Sequence, residues 1–195
     1  MKKFTSMILA VIFSMMVSAQ DGKDPVYGFG AVTTQNGKVV FERSINCGSA
    51  TQEAVYQAAS AWAKGRYVAP VVVSGRVSEN PNDEISIKAN EIIVFKKTNW
   101  ITDESNIRYS LTISLSDGKC SLKFSEIDYV YEEDRDGGGQ HFTAEEWITD
   151  EEAFNRKGTK MLPATGKFRV KTIDLVNQIT SDLESAIKAF TTAGN

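Results

Sequence analysis

The sequence predicts an α+β fold: one antiparallel five-stranded sheet in the order β-α-β-β-β-β-α, with a long C-terminal helix packed on one face. Three observations carry this expectation. Strand-like apolar runs recur between residues 39 and 131, and the cleanest of them alternates with a period of two. Turn-forming residues separate consecutive runs, so neighbouring strands return as hairpins. Near the C-terminus Ile173, Val176, Ile179, Leu183, Ile187 and Phe190 step by three or four, which is helical spacing.

The N-terminal residues bear on compartment. Lys2 and Lys3 precede an apolar run from Met7 to Val17, and Val17-Ser18-Ala19 places small residues before Gln20. This is the layout of a secretory signal peptide. The run is too short to span a bilayer, which takes about 20 apolar residues. Residues 1–19 are thus expected to be removed, with no cysteine following to carry a lipid. The mature chain is expected to start at Gln20 without a transmembrane segment and to be periplasmic or secreted.

The 195 residues include 22 Lys and Arg against 25 Asp and Glu, and the leader takes two of the lysines with it. No basic run is longer than two residues, as in Lys96-Lys97. A mildly acidic surface without a basic cluster argues against nucleic acid and anionic membranes as partners. Export permits a disulfide, and two cysteines are present, Cys47 and Cys120.

Taken in order, residues 20–37 show no period and read as an irregular N-terminal arm. Val39, Phe41, Ile45 and Cys47 share one face of the first strand. Ser49 and Gln52 fit a capping box that opens a helix. Val55, Ala58, Ala59 and Trp62 form its apolar stripe, with Trp62 as a core anchor, and Gly65 is placed to end it. Two strands follow at 71–78 and 84–95, joined by the turn-rich stretch 79–83 around Pro81. In 108–116, Tyr109, Leu111, Ile113 and Leu115 face inward, while Ser110, Thr112, Ser114 and Ser116 face outward. Asp117-Gly118 is a strong hairpin signal. The returning strand points Cys120, Leu122 and Phe124 inward, then changes phase to Ile127, Tyr129 and Tyr131. One extra residue, a β-bulge near Ser125-Glu126, accounts for that change. Thr143 and Glu146 make a second capping box for a short helix running through Trp147 to about Phe154. A polar link, 155–166, leads to the long helix. The organisation expected is a leader (1–19), an arm (20–37) and one domain (38–190).

This order and the residues filling it resemble the domain of unknown function 4468 family, which has a TBP-like fold and is common in exported proteins of Bacteroides-type bacteria. The matching segments are VVFERSI before a helix ending in AWAKG, the meander with YSLTISLSDGKCSLKFS, and EEWITDEEAFNRKG before IDLVNQITSDLESAIKAF. The similarity spans roughly residues 38–190 and implies a fold, with no activity, cofactor or site residues. In that fold the first strand lies antiparallel beside the last strand of the meander. The ends carrying Cys47 and Cys120 then meet, and a disulfide between them is expected; two buried thiols are the alternative.

The same strand order sets Glu42, Ser44 and Asn46 beside Ser121, Lys123 and Ser125, then Ser110, Thr112 and Ser114, then Ser86, Lys88 and Asn90. A TBP-type saddle uses this face on DNA, where basic residues and apolar wedges are needed. Here the face is neutral, small and hydroxyl-rich, so DNA is excluded as its ligand. It is either a plain solvated surface or an interaction face. In the second case Ser44, Asn46, Lys88, Ser110, Thr112, Ser114, Ser121 and Lys123 would receive a glycan, a peptide or another envelope protein.

The stretch 132–141, EEDRDGGGQH, looks most like a catalytic or metal site. Glu132, Asp134, Asp136 and Gly137 match the start of an EF-hand loop, but its twelfth position is Thr143, which cannot supply the bidentate carboxylate. No P-loop pattern surrounds the glycines, and His141 is the only histidine. The expectation is a mobile, solvent-exposed turn between the last meander strand and the short helix, with Phe142 and Trp147 packing down behind it. No metal, cofactor or catalytic residue is implied. A non-enzymatic binding domain is the expected function. The rival is a hydrolase that combines Glu126, Asp128 or Glu132 with His141 in a deep pocket.

Overall fold

The computed structural model describes residues 24–67, 72–74, 83–133 and 137–193. The leader, Gln20, the turn residues 79–82, Asp134 and Asp136 lie outside the described residues. In chain order the elements are β1 (Thr33–Gln35), β2 (Lys38–Asn46), α1 (Gln52–Arg66), β3 (Val72–Ser74), β4 (Glu84–Lys97), β5 (Thr102–Ser116), β6 (Lys119–Tyr131), β7 (Gln140–Thr143), α2 (Ala144–Trp147), α3 (Asp150–Ala153) and α4 (Pro163–Ala193). Among the described residues the strands form one antiparallel sheet in the order β1-β2-β6-β5-β4-β3, with β7 also on β6.

The five expected strands are β2 to β6, and β2 lies beside β6 as the resemblance implies. The additions are short. β1 returns the arm onto β2 over three residues, and β7 takes the place beside β6 that β2 has vacated. The glycine stretch therefore closes a hairpin rather than leading directly into a helix, and His141 and Phe142 belong to a strand.

α1 and α4 cover one face of the sheet. Leu111, Ile113, Leu122 and Phe124 on the strands are at most 1% exposed, as are Val55, Ala59, Ile173, Ile179 and Leu183 on the helices. Burying each large aliphatic side chain contributes roughly 1.5–3 kcal/mol. Phe190, the last residue of the stripe, departs from the pattern. It is 46% exposed and stands over the corner between β2 and α1, beside Cys47 and Ala54.

The bulge stands where the phase change puts it. Ser110 pairs with Ser125 and Arg108 with Asp128, so Tyr109 faces both Glu126 and Ile127. Glu126 takes up the extra length at φ 51°. A second bulge at Phe95 lies between the Val94–Glu104 and Lys96–Asp103 pairs.

Helix starts are partly as expected. Thr143 and Glu146 form the capping box on α2. On α1 the N-cap is Thr51, not Ser49: its hydroxyl accepts from Ala54 N at 3.3 Å. Gln52 does not reach back, because its amide donates to Leu115 O on the neighbouring hairpin. The expected single short helix is two, α2 and α3. The polar link ends at Pro163, where a missing N–H costs a first-turn residue nothing.

Arg169 on α4 is fully buried beneath the N-terminal arm. Its guanidinium donates to the carbonyls of Tyr27 (2.9 Å), Gly28 (2.5 Å) and Ile148 (2.7 Å), and to Asp150 (2.7 Å). Tyr27 adds a 2.6 Å bond to Asp174. The arm, expected to be irregular, is thus bonded to the helix through two successive carbonyls.

Candidate functional site

No described helix covers the face of the sheet opposite α1 and α4. Every second residue of β2, β4, β5 and β6 points there, and the register sets these residues in rows. Ser44, Ser121 and Ser114 are direct neighbours, as are Glu42, Lys123, Thr112 and Ser86 in the next row. Lys88 and Ser110 face each other in the third. The bulge turns Glu126 toward this row, where its carboxylate accepts from Ser110 at 2.6 Å and lies 3.9 Å from the Lys88 ammonium. Asn46 sits at the edge, opposite Lys119, and its side chain accepts from Gly48 N at 2.9 Å. All eight residues read as an interaction face therefore lie on one side of one sheet.

Two of the three carboxylates of the hydrolase reading are engaged by other side chains. Glu126 is taken up by Ser110, and Asp128 by Arg108 at 2.5 Å. Both lie along the open sheet: Asp128 pairs with Thr143, and exposed His141 sits two residues back on β7, opposite Val130. Among the described residues no three His, Cys, Asp or Glu side chains are placed to hold a metal ion.

The expected disulfide is absent: Cys47 and Cys120 are free thiols. Register is the reason. Cys120 faces Ile45, whereas Cys47 N donates to Gly118 O at 2.8 Å, past the end of the ladder. Cys47 therefore stands diagonal to Cys120, and such neighbours have Cα atoms roughly 7–8 Å apart. Bridging needs less than about 7 Å. The Cys47 thiol instead points to Ile45 O, at 3.7 Å. Burial raises Cys47, against a backbone hydrogen bond from Cys120. Burial first, and the neighbouring Cys47 second, push Cys120 up to about 12.

The feature missed in the sequence lies at the far end of the open face. β4 and β5 extend beyond the serine rows to a hairpin tip at Thr98–Ile101, closed by Thr98 N donating to Ile101 O at 2.8 Å. Trp100 on that tip is 93% exposed, Ile101 69% and Ile92 60%. A groove of about 790 Å³ runs between this tip and the turn after β6. Its floor is the row Ile92, Asn106 and Val130, and its walls include Ile101, Glu104, Glu132 and Glu133. Asn106 Nδ2 donates to Glu133 at 2.5 Å. Behind the wall, Asp103 holds Lys167 at 2.8 Å, with that ammonium 4.4 Å from the Tyr131 ring centre. Burial lowers the Lys167 pKa, but hydrogen bonds to Asp103 and Tyr131 outweigh it and hold the group above its ordinary value. The signal for this end was the run EIIVF, 91–95. Consecutive apolar residues in an antiparallel strand put apolar side chains on both faces.

A family model described as "Domain of unknown function (DUF4468) with TBP-like fold" matches residues 41–130. No curated protein matches the chain. Among solved structures, a DUF4468 family protein from Bacteroides ovatus ATCC 8483 is similar with a TM-score of 0.75 and 27% identity, over 84% of this chain and 94% of that one. A TBP-like protein from Parabacteroides distasonis ATCC 8503 is similar in fold, with a TM-score of 0.66 and 21% identity, over 80% of this chain and 96% of that one. Residues 41–130 thus match the model of the family that the sequence resembles, and the TBP-like fold is shared with both solved structures.

Proposed function

We propose that the protein is an exported, non-catalytic binding domain that receives its partner on the open face of the sheet. In this reading residues 1–19 are a cleaved leader, 20–37 an arm and 38–190 the domain. The observation that carries it is the open face: four long strands present a surface that no described helix covers, and it ends in Trp100 at 93% exposure. Solvated sheet faces are ordinary in antiparallel folds. A nearly bare tryptophan beside exposed isoleucines is the part that favours recognition, since such aromatics anchor interfaces. No described helix is long and apolar enough to cross a membrane.

Photo-crosslinking in the native envelope tests the reading. A photoreactive residue at Thr112 or Thr102 should yield adducts that one at Lys188, on the outer side of α4, does not. Adducts from Lys188 alone, or none from the sheet, would overturn it. N-terminal sequencing of the envelope fraction should return Gln20, and uncleaved protein in the cytoplasm would overturn the export.

A further inference from the structure

We propose that the hairpin tip Thr98–Ile101 inserts Trp100 and Ile101 into the surface of a lipid bilayer, with Lys96 and Lys97 on its anionic headgroups. This deepens the binding reading at the end of the face where Trp100 stands, and rests on it. Among the described residues the hairpin is two-stranded beyond Ser105. Thr102, Asp103 and Glu104 pair with β4 alone, because β6 ends at Tyr131, opposite Ser105. Three residues of strand carry the tip roughly 10 Å past its neighbours. The stem is held in place from behind. Lys167 on α4 binds Asp103 at 2.8 Å and stands 4.5 Å from the Phe95 ring centre and 4.4 Å from that of Tyr131. Two nearly bare apolar side chains are thus presented on a fixed prong.

Backbone and charge both fit a bilayer. Below the headgroups water is scarce, so N–H and C=O groups must find partners within the segment. Thr98 N donates to Ile101 O at 2.8 Å, and the Thr98 hydroxyl donates to the same carbonyl at 3.1 Å. That hydroxyl also accepts from Ile101 N at 3.0 Å and from Trp100 N at 3.4 Å. The turn therefore closes on itself beneath its apolar side chains. Lys97 pairs with Thr102 and Lys96 with Asp103, so both cations stand directly behind the apex. Asp103 is the one carboxylate among residues 96–103, and Lys167 already meets it. Glu104 stands further back, opposite Val94, and Glu133 is held by Asn106. The acidic balance of the whole chain opposes an anionic surface, which confines the contact to this tip. Tryptophan settles at the headgroup level, and lysine stems reach from there to the phosphates. A protein pocket calls for the apolar pair alone and leaves the closed backbone and the two lysines unused.

The test is flotation of the mature chain with vesicles of phosphatidylcholine and phosphatidylglycerol in equal parts, at about 0.1 M salt. Wild type should float with them. Its tryptophan fluorescence should shift to the blue and be quenched by lipid brominated near the headgroups. Trp100→Phe should lose both optical signals, since Trp62 and Trp147 pack against the core. The tip double variant, Trp100→Ser with Ile101→Ser, should bind at least about tenfold more weakly. It should keep its circular dichroism and melting temperature, because both side chains are on the surface. Lys96→Glu with Lys97→Glu should lose the preference for these vesicles over phosphatidylcholine alone. Lys188→Glu, on the outer side of α4, should float like wild type. No flotation of wild type, or equal flotation of the tip double variant, would overturn the inference. A photoreactive residue at position 100 that captures a protein, without flotation, would overturn it also. If crosslinks at Thr112 succeed while wild type does not float, the binding reading stands and this one falls.

Discussion

Arg169 Nη2 lies 2.5 Å from the carbonyl of Gly28 and 2.7 Å from Asp150, inside the protein. Nothing in its local sequence, GKFRVKTID, distinguishes it from an exposed helical arginine. Its removal would take this donor from three carbonyls and the counter-ion from the Asp150 carboxylate, which also accepts from Gly30 N at 2.8 Å. Breaking a buried pair from one side costs roughly 3–5 kcal/mol. Arg169→Met should lower stability to urea by about that amount and expose the arm to protease, read as a new cut within residues 24–31. A variant as stable as the parent would show that the clamp contributes nothing. The cysteines give a second test at this scale. Denatured without reductant, the protein should take up two alkyl groups. In the native state Cys47 should react first, because Cys120 is fully buried and its thiol sits near 12. A protein that takes up no alkyl group until reduced would have the bridge after all.

At the scale of elements, the β6–β7 hairpin and α2 act as one unit. Phe142 stacks on Trp147 with ring centres 3.8 Å apart, and both rings meet Phe168 on α4. The packing expected of Phe142 and Trp147 is what the structure has. The glycines before them are more constrained than their number suggests. Gly139 has φ 80°, and a Cβ there would sit 2.6 Å from Tyr131 O. Gly139→Ala should therefore cost about 1–3 kcal/mol, whereas Gly137, with open space around it, should cost less. Deleting Gly137–Gly139 should shift the melting temperature down, contrary to what a mobile, solvent-exposed turn would give. An unchanged melting temperature would restore that expectation.

The α2 cap responds to pH. Glu146 accepts from the backbone N–H and hydroxyl of Thr143, which holds its carboxyl below the ordinary range. A folded value below the unfolded one, about 4.3, stabilises the protein above that pH. The contribution is lost as pH falls through the lowered value. The difference in urea midpoint between wild type and Glu146→Gln should thus be present at neutral pH and shrink in acid. A constant difference would place the cap's effect elsewhere.

For the whole molecule, local pattern was enough to read the order of the five expected strands and the two long helices, the inward and outward faces of β5 and β6, the bulge near Ser125-Glu126, the Thr143–Glu146 cap and most of the α4 stripe. These are local: period two, period 3.6, a phase slip and a capping pair are each written within one contiguous segment. The neighbour relation of β2 and β6 came through the resemblance, since local pattern cannot say which strands pair. Tertiary structure alone decided the rest. Two residues of register separate Cys47 from Cys120, and register is a relation between strands. Arg169 is interior because the arm folds over it. Trp100 is bare because β4 and β5 outrun the strands beside them. The groove exists only where two hairpin ends, far apart in the chain, stop side by side. Each of these depends on where distant segments end relative to one another, which no periodicity in one segment encodes.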